Sequence, residues 1–187
     1  MNVIKTSLLD VYIIEPEVFG DSRGWFMESW SQKKMDEAGL HFRFVQDNQS
    51  YSARKGTLRG LHFQKGGAAQ AKLVRCGRGA VRDVAVDLRR GSPTYKKWVA
   101  VELSAENKRQ LLIPRGFAHG FLTLTDGVEF IYKTDNYYAP EAEGSIIWND
   151  PDIGIQWGIE NPILSEKDKK APRLSECDID FIYGGEK

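Results

Sequence analysis

The sequence has little from which a metal site or a disulfide framework could be made. It holds two cysteines, Cys76 and Cys177, and three histidines, His41, His62 and His119. The cysteines stand far apart and match no metal spacing and no disulfide-dense scaffold. No H-x-H, H-x-x-x-H or C-x-x-C pair occurs. A metal ion would have to gather isolated ligands from distant segments, so no metal is expected. Charge of one sign is missing too, because 26 Lys and Arg balance 26 Asp and Glu. Neutralising many phosphates needs a basic excess, which argues against a nucleic-acid partner. No apolar run approaches the roughly 20 residues of a membrane span. The opening stretch, MNVIKTSLLDVYII, lacks a charged n-region, a long apolar core and a small-residue cleavage site. The expectation is a soluble protein of a reducing compartment, the cytoplasm.

What is present fits one globular domain. The 187 residues suit a single unit spanning 1–187. Hydrophobic residues at 41% and charged residues at 28% give a folded rather than a disordered balance. Aromatics reach 11%, which favours strands and a lined pocket over a helical bundle. Short β-rich runs alternate with turn residues: Val11–Glu15, Trp25–Trp30, Lys72–Cys76, Ala80–Leu88, Tyr95–Leu103, Gln110–Ile113, Phe117–Thr125 and Val128–Thr134. Their spacing, with Gly, Pro or Asp between them, predicts an all-β sandwich or barrel. Ser31–Ala38 reads as one helix ended by Gly39, and 165–170 as a further short turn. The last forty residues, with Pro151, Pro162 and Pro172, are expected to wrap the barrel and cross its mouth.

Several polar groups sit oddly in these strands. Alternation puts Arg82, Val84, Val86 and Leu88 on one face of Ala80–Leu88, and Val81, Asp83, Ala85 and Asp87 on the other. Asp83 therefore implies a polar cavity or a solvated sheet face. In LRGLHFQ, strict alternation separates Arg59 from His62, unless Gly60 hosts a bulge that re-aims one of them. His62, between Leu61 and Phe63, and His119, in PRGFAHGF, read as structural histidines or as site residues. FGDSRGWFME and FVQDNQS place Arg23, Glu28 and amides among aromatics. Amides suit the edge of a nucleobase and arginine suits a diphosphate, although capped hairpins give the same pattern. Tyr132, Tyr137 and Tyr138 serve as proton donors, stacking platforms or plain packing.

Taken together and in order, FGDSRGWFMESW, FVQDNQS, TLRGLHFQ, AKLVRCGRGAVRDVAVDLRRGSPTY, IPRGFAHGFLTL, YKTDNYYAPEAEGSIIWNDPDIGIQW and LSEKD resemble the dTDP-4-dehydrorhamnose 3,5-epimerases. The resemblance runs from about residue 19 to 168. It implies a cupin-type jelly-roll barrel (a double-stranded β-helix with a few short helices) and a homodimer to which the N-terminal segment contributes. It also implies epimerisation of dTDP-4-dehydro-6-deoxy-D-glucose at C3 and C5 without metal or other cofactor. His62 would be the base, Asp168 its supporting carboxylate, Tyr132 the opposing acid and Lys72 the cation near the ketone. Arg59 and His119 would contact substrate, and Asp83 would support polar groups inside the barrel. Arg23, Glu28, Gln46, Asp47 and Asn48 match nucleotide-binding positions, some of them reaching the site from the partner subunit. Tyr138 matches the aromatic that stacks on thymine, and Glu143 and Lys167 match further ligand contacts. Gly66-Gly67 departs from a proline-rich turn of the family, and one residue is inserted between QDN and RGLH. The same residues leave open a relative that inverts C3 or C5 alone, or a ketoisomerase of a related deoxysugar pathway.

Overall fold

The structure, a computed structural model, describes residues 1–184. In chain order the strands are β1 (Asn2–Lys5), β2 (Tyr12–Glu15), β3 (Val18–Asp21), β4 (Gly24–Met27), β5 (Gln46–Ser52), β6 (Leu58–Gln64) and β7 (Lys72–Arg78). Then follow β8 (Ala80–Asp87), β9 (Trp98–Ser104), β10 (Gln110–Ile113), β11 (Phe117–Thr123), β12 (Val128–Thr134) and β13 (Glu143–Ser145). Two short helices, α1 (Gln32–Glu37) and α2 (Glu166–Lys169), complete the regular structure with three single 3-10 turns. One sheet has the order β1-β2-β10-β7-β12-β5 and the other β13-β6-β11-β8-β9, while β3 and β4 form a separate hairpin. All these pairings are antiparallel. The two sheets close on each other as the jelly-roll barrel that the sequence implied.

Period-two patterning sorts each strand between two environments. On β8, Val81 and Ala85 join Val74, Leu111, Phe121 and Phe130 in the core between the sheets. Val84 and Val86 face outward, where Trp157, Leu174 and Ile179 of the C-terminal segment cover them. The C-terminal segment thus covers the outer face of this sheet. On the other sheet, Met35 of α1 and Leu40 pack over Leu73 and Leu112.

Some boundaries differ from the sequence reading. β9 begins at Trp98, because Tyr95–Lys97 is a turn held by Tyr95 N–H to Ser92 O and Lys97 N–H to Thr94 O. β7 runs through Gly77 to Arg78, with a register shift opposite Glu129 and Phe130. The FVQDNQS stretch is a full edge strand, β5, rather than a capped hairpin. Gly66–Ala68, the departure from the family's turn, is one 3-10 turn whose Gly66 N–H donates to Asp180.

At the end of β8, Asp87 is fully buried and accepts from Arg89 Nε and Nη2, Ser92 Oγ and Thr94 Oγ1 at 2.6–3.0 Å. Arg89 also donates to Asp10 Oδ2 and Leu9 O, and lies over the Phe117 and Tyr183 rings. One guanidinium therefore ties both terminal segments to the barrel.

Candidate active site

The barrel encloses a cavity of about 390 Å³. Each sheet supplies one wall. The five-stranded sheet contributes Arg59 and His62 from β6 and His119 from β11, while the six-stranded sheet contributes Ser50, Lys72, Phe130 and Tyr132 from β5, β7 and β12. The segment from Ile163 to Asp168, including α2, borders the opening.

Arg59 and His62 share this cavity because β6 carries an extra residue. His119 pairs with His62 and Phe121 with Arg59, so three steps on β6 match two on β11. That bulge turns Arg59 to the side of His62. Gly60 and Gly120 make it possible. A Cβ on Gly60, whose φ is +122°, would lie 2.6 Å from the Gly120 Cα. The backbones meet too closely for any larger residue.

His62 Nε2 lies 2.6 Å from Asp168 Oδ1, a contact spanning 106 residues of sequence. Asp168 is 3% exposed and its other oxygen accepts from Ser165 Oγ at 2.9 Å. Burial works to raise the Asp168 carboxyl. The His62 hydrogen bond and charge, the Ser165 hydroxyl and the Lys167 charge outweigh it and hold the group below the usual carboxylate range. With Nε2 donating to an ionised carboxylate, Nδ1 carries the imidazole lone pair.

On the opposite wall, burial pushes the Tyr132 phenol above its ordinary value, with Glu143 and Tyr138 adding to the shift and Arg59 opposing it. Tyr132 is thereby kept protonated. Lys72 is lowered to about 8 by burial, against the charges of Asp83 and Glu143. Phe121, from the five-stranded sheet, stacks on Phe130 of the other at 4.2 Å between ring centroids. His119 Nε2 lies 2.9 Å from Asp83 Oδ2, and Asp83 is fully buried. This resolves the alternation puzzle of β8 in favour of a polar cavity. His119 is bound to a side chain rather than to backbone.

A second group lies toward the rim. Tyr138 Oη donates to Glu143 Oε2 at 3.0 Å, and Glu143 Oε1 is 2.6 Å from Lys167 Nζ. Burial would raise Glu143, but hydrogen bonds from Lys167 and Tyr138 hold it below its ordinary range. Gln46 Oε1 accepts from the Tyr138 N–H, and Gln46 Nε2 donates to Asn48. Arg59 is steadied by Ser52 Oγ and Tyr51 O.

Of the expected residues, His62, Tyr132, Asp168, Lys72, Arg59, His119 and Lys167 line the cavity. Asp83, Glu143, Tyr138, Gln46 and Asn48 lie outside its lining and join it through the hydrogen bonds above. Asp47, Arg23 and Glu28 do not reach it within this chain. Asp47 alternates to the outer face of β5 and pairs with Lys133 at 2.7 Å. Arg23 sits on the β3–β4 hairpin, exposed and paired with Asp21, and Glu28 pairs with Lys34. Alternation already separates Asp47 from Gln46 and Asn48, because adjacent strand residues face opposite ways. Ser165, Ser52 and Ser50 are site residues that the sequence reading missed. Serines give no signal of their own, although Ser165 three residues before Asp168 has helix-cap spacing. Among the described residues, no three His, Cys, Asp or Glu side chains converge as a metal ion would need.

A histidine hydrogen-bonded to a carboxylate, and a protonated phenol on the facing wall, are groups able to exchange protons. Together with the jelly-roll barrel they fit an isomerase of the sugar-nucleotide epimerase class. Residues 5–176 match the family model for dTDP-4-dehydrorhamnose 3,5-epimerase. The chain belongs to that family. It is 59% identical over 179 residues to the enzyme of that name from Salmonella typhimurium, covering 95% of this chain and 97% of the relative. The structure of the Bacillus anthracis enzyme with TDP and pyrophosphate bound superposes with a TM-score of 0.91 at 50% identity, covering 92% of this chain and 99% of that one. The Legionella pneumophila epimerase in complex with dTDP-4-keto-L-rhamnose gives 0.90 at 49% identity, covering 95% and 94%.

Proposed function

We propose that this chain epimerises dTDP-4-dehydro-6-deoxy-D-glucose at C3 and C5, giving dTDP-4-dehydro-L-rhamnose for dTDP-L-rhamnose synthesis. The observation that carries this reading is the placement of His62 and Tyr132 on opposite walls of one cavity. Both target carbons flank the C4 ketone, so one carbonyl acidifies both C–H bonds. His62 Nδ1 takes the proton and the electron pair moves onto O4 as an enolate. Asp168 stabilises the imidazolium that forms. The Lys72 ammonium stabilises the charge on O4. Tyr132 then returns a proton to carbon from the far side, which inverts the centre. Solvent reprotonates the phenolate and takes the histidine's proton.

The rim group suits the nucleotide. Tyr138 offers an exposed ring to thymine, Gln46 and Asn48 offer amides to its edge, and Arg59 and Lys167 offer cations to the diphosphate. His119, with Asp83 behind it, and Glu143 hold sugar or phosphate hydroxyl groups. Arg23 and Glu28 belong to a homodimeric site. Their hairpin exposes Phe19, Trp25 and Phe26 at 56%, 58% and 68%, and β5 at the sheet edge has one unpaired side. The intact protein should sediment at twice the mass of the chain; a monomer at micromolar concentration would remove Arg23 and Glu28 from the site. A cytoplasmic setting agrees with the two free thiols and with the lack, among the described residues, of a helix long and apolar enough to cross a membrane. Residues 1–184 make one barrel, consistent with one domain, and 185–187 lie outside the described residues.

Turnover in deuterated water tests the activity. The product should carry solvent label at both C3 and C5; label at one centre only would make this a single-site epimerase. Run across pH, the rate should fall above about pH 8, where Lys72 loses its proton. The ammonium is present below that value and absent above it. A profile flat through pH 9 would deny Lys72 its charge-stabilising role.

A further inference from the structure

Ser165 is in direct contact with the His62–Asp168 pair. Its Oγ donates to Asp168 Oδ2 at 2.9 Å and accepts from the Asp168 N–H at 3.1 Å. It borders the cavity at the start of α2. In a capping box, the third side chain of the helix reaches back to the backbone of the cap. Here the Asp168 carboxylate instead takes the cap's hydroxyl and the His62 ring. We propose that Ser165 is a positioning residue of the proton-transfer apparatus, holding the Asp168 carboxylate in the plane where it accepts from His62.

The direction of each hydrogen bond fixes the roles of the three groups. The Ser165 oxygen already accepts from an amide, so its proton points at Oδ2. Oδ2 is therefore an acceptor, and against burial the His62 hydrogen bond and charge, with the Ser165 hydroxyl and the Lys167 charge, keep the carboxylate ionised. Oδ1 must then accept from His62 Nε2, which leaves Nδ1 as the base. Without the hydroxyl, the carboxyl group rotates in a broad torsional well, since its terminal torsion joins sp³ and sp² atoms. An imidazole with a swinging partner loses its fixed tautomer and orientation. The inference rests on the proposed role of His62 as base.

The ionisable groups around His62 come from several elements. Asp168 and Lys167 lie on α2, Glu143 on β13, and His119 on β11. Arg59 shares β6, and Lys72 and Tyr132 stand on the opposite wall. Of these groups, the Ser165 side chain is hydrogen-bonded to Asp168 alone, so a change in pH profile reports on Asp168 and His62.

Three variants of the full chain, assayed for kcat and KM across pH with dTDP-4-dehydro-6-deoxy-D-glucose and for thermal stability, decide the matter. Ser165→Ala should lose roughly tenfold in kcat, the scale of one charged hydrogen bond, with KM unchanged. Its acid limb should move to higher pH, because a carboxylate without its donor binds the imidazolium more strongly. Ser165→Thr keeps the hydroxyl and should recover most of the lost kcat. Ser165→Gly suits a helix cap nearly as well as serine but has no hydroxyl to donate. It should keep more thermal stability than Ser165→Ala without regaining kcat. Recovery of both stability and kcat in Ser165→Gly would reduce Ser165 to a helix cap and overturn the inference. So would a Ser165→Ala enzyme with unchanged kcat and acid limb. If His62→Ala is inactive while Ser165→Ala is normal, only this inference falls; if His62→Ala is active, the reading of the site falls with it.

Discussion

Replacing His62 with alanine is expected to cut turnover by roughly 10²- to 10⁴-fold, the range that a positioned general base supplies. Binding of dTDP should change little, because the groups proposed to hold the nucleotide, Tyr138, Gln46, Asn48, Arg59 and Lys167, do not include the imidazole. The effect should appear in kcat rather than KM, since the proton is removed only in the transition state. Titration calorimetry with dTDP, alongside turnover with the full substrate, makes the separation. In deuterated water the variant should also stop washing label into recovered substrate. A His62→Ala enzyme that still exchanges the C3 and C5 protons would place the base elsewhere. His119 would then be the first candidate, since it pairs with His62 across β6 and β11 and has its own carboxylate in Asp83.

The second large effect concerns stability. Arg89→Ala should destabilise the fold by roughly 3–5 kcal/mol, the usual result of removing one partner of a buried pair. Asp87 would remain fully buried with two hydroxyl donors and no cation. The substitution would also free Asp10 and the Tyr183 ring from their shared partner. Chemical denaturation should show the midpoint falling. The double variant Arg89→Met with Asp87→Leu should recover part of the loss, because it leaves no orphaned charge. The acid dependence has a definite sign. Burial works to raise the Asp87 carboxyl, but Arg89, Ser92 and Thr94 hold it below its ordinary range. Its contribution is complete above the ordinary carboxylate pKa and is lost as pH falls through the depressed value. Arg89→Ala should therefore show a weaker loss of stability between pH 5 and pH 3 than the parent. Equal acid sensitivity in the two proteins would mean that Asp87 is not the group responsible.

How much of this was legible in the sequence depended on the range of the interaction. Local patterns gave the all-β class, the α1 helix within one residue at each end, and the two faces of β8. They failed where a strand's identity comes from its neighbours. β5 is rich in amides and serine, which single-strand patterning reads as turn, yet seven consecutive pairings with β12 make it a strand. Alternation along LRGLHFQ put Arg59 and His62 apart unless Gly60 hosted a bulge; the bulge is present, and the Gly60–Gly120 approach that permits it involves a segment sixty residues away. The His62–Asp168 contact has no local signature at all. It entered only through the likeness of RGLHFQ and LSEKD to a family. Asp47 was grouped with its neighbours by motif, although strand geometry assigns it to the other face.

The short α2 helix sends two consecutive side chains to different tasks. Lys167 meets Glu143 toward the proposed nucleotide end and Asp168 meets His62 toward the proposed sugar end. Successive helical residues diverge by about 100°, so one backbone turn sets the angle between the two halves of the ligand site. Inserting a single residue between them would swing one side chain off its target while the other stayed. Surface segments usually absorb such changes of length, but this one works as a spacer gauge, and its residue count is as much a part of the specificity as its chemistry.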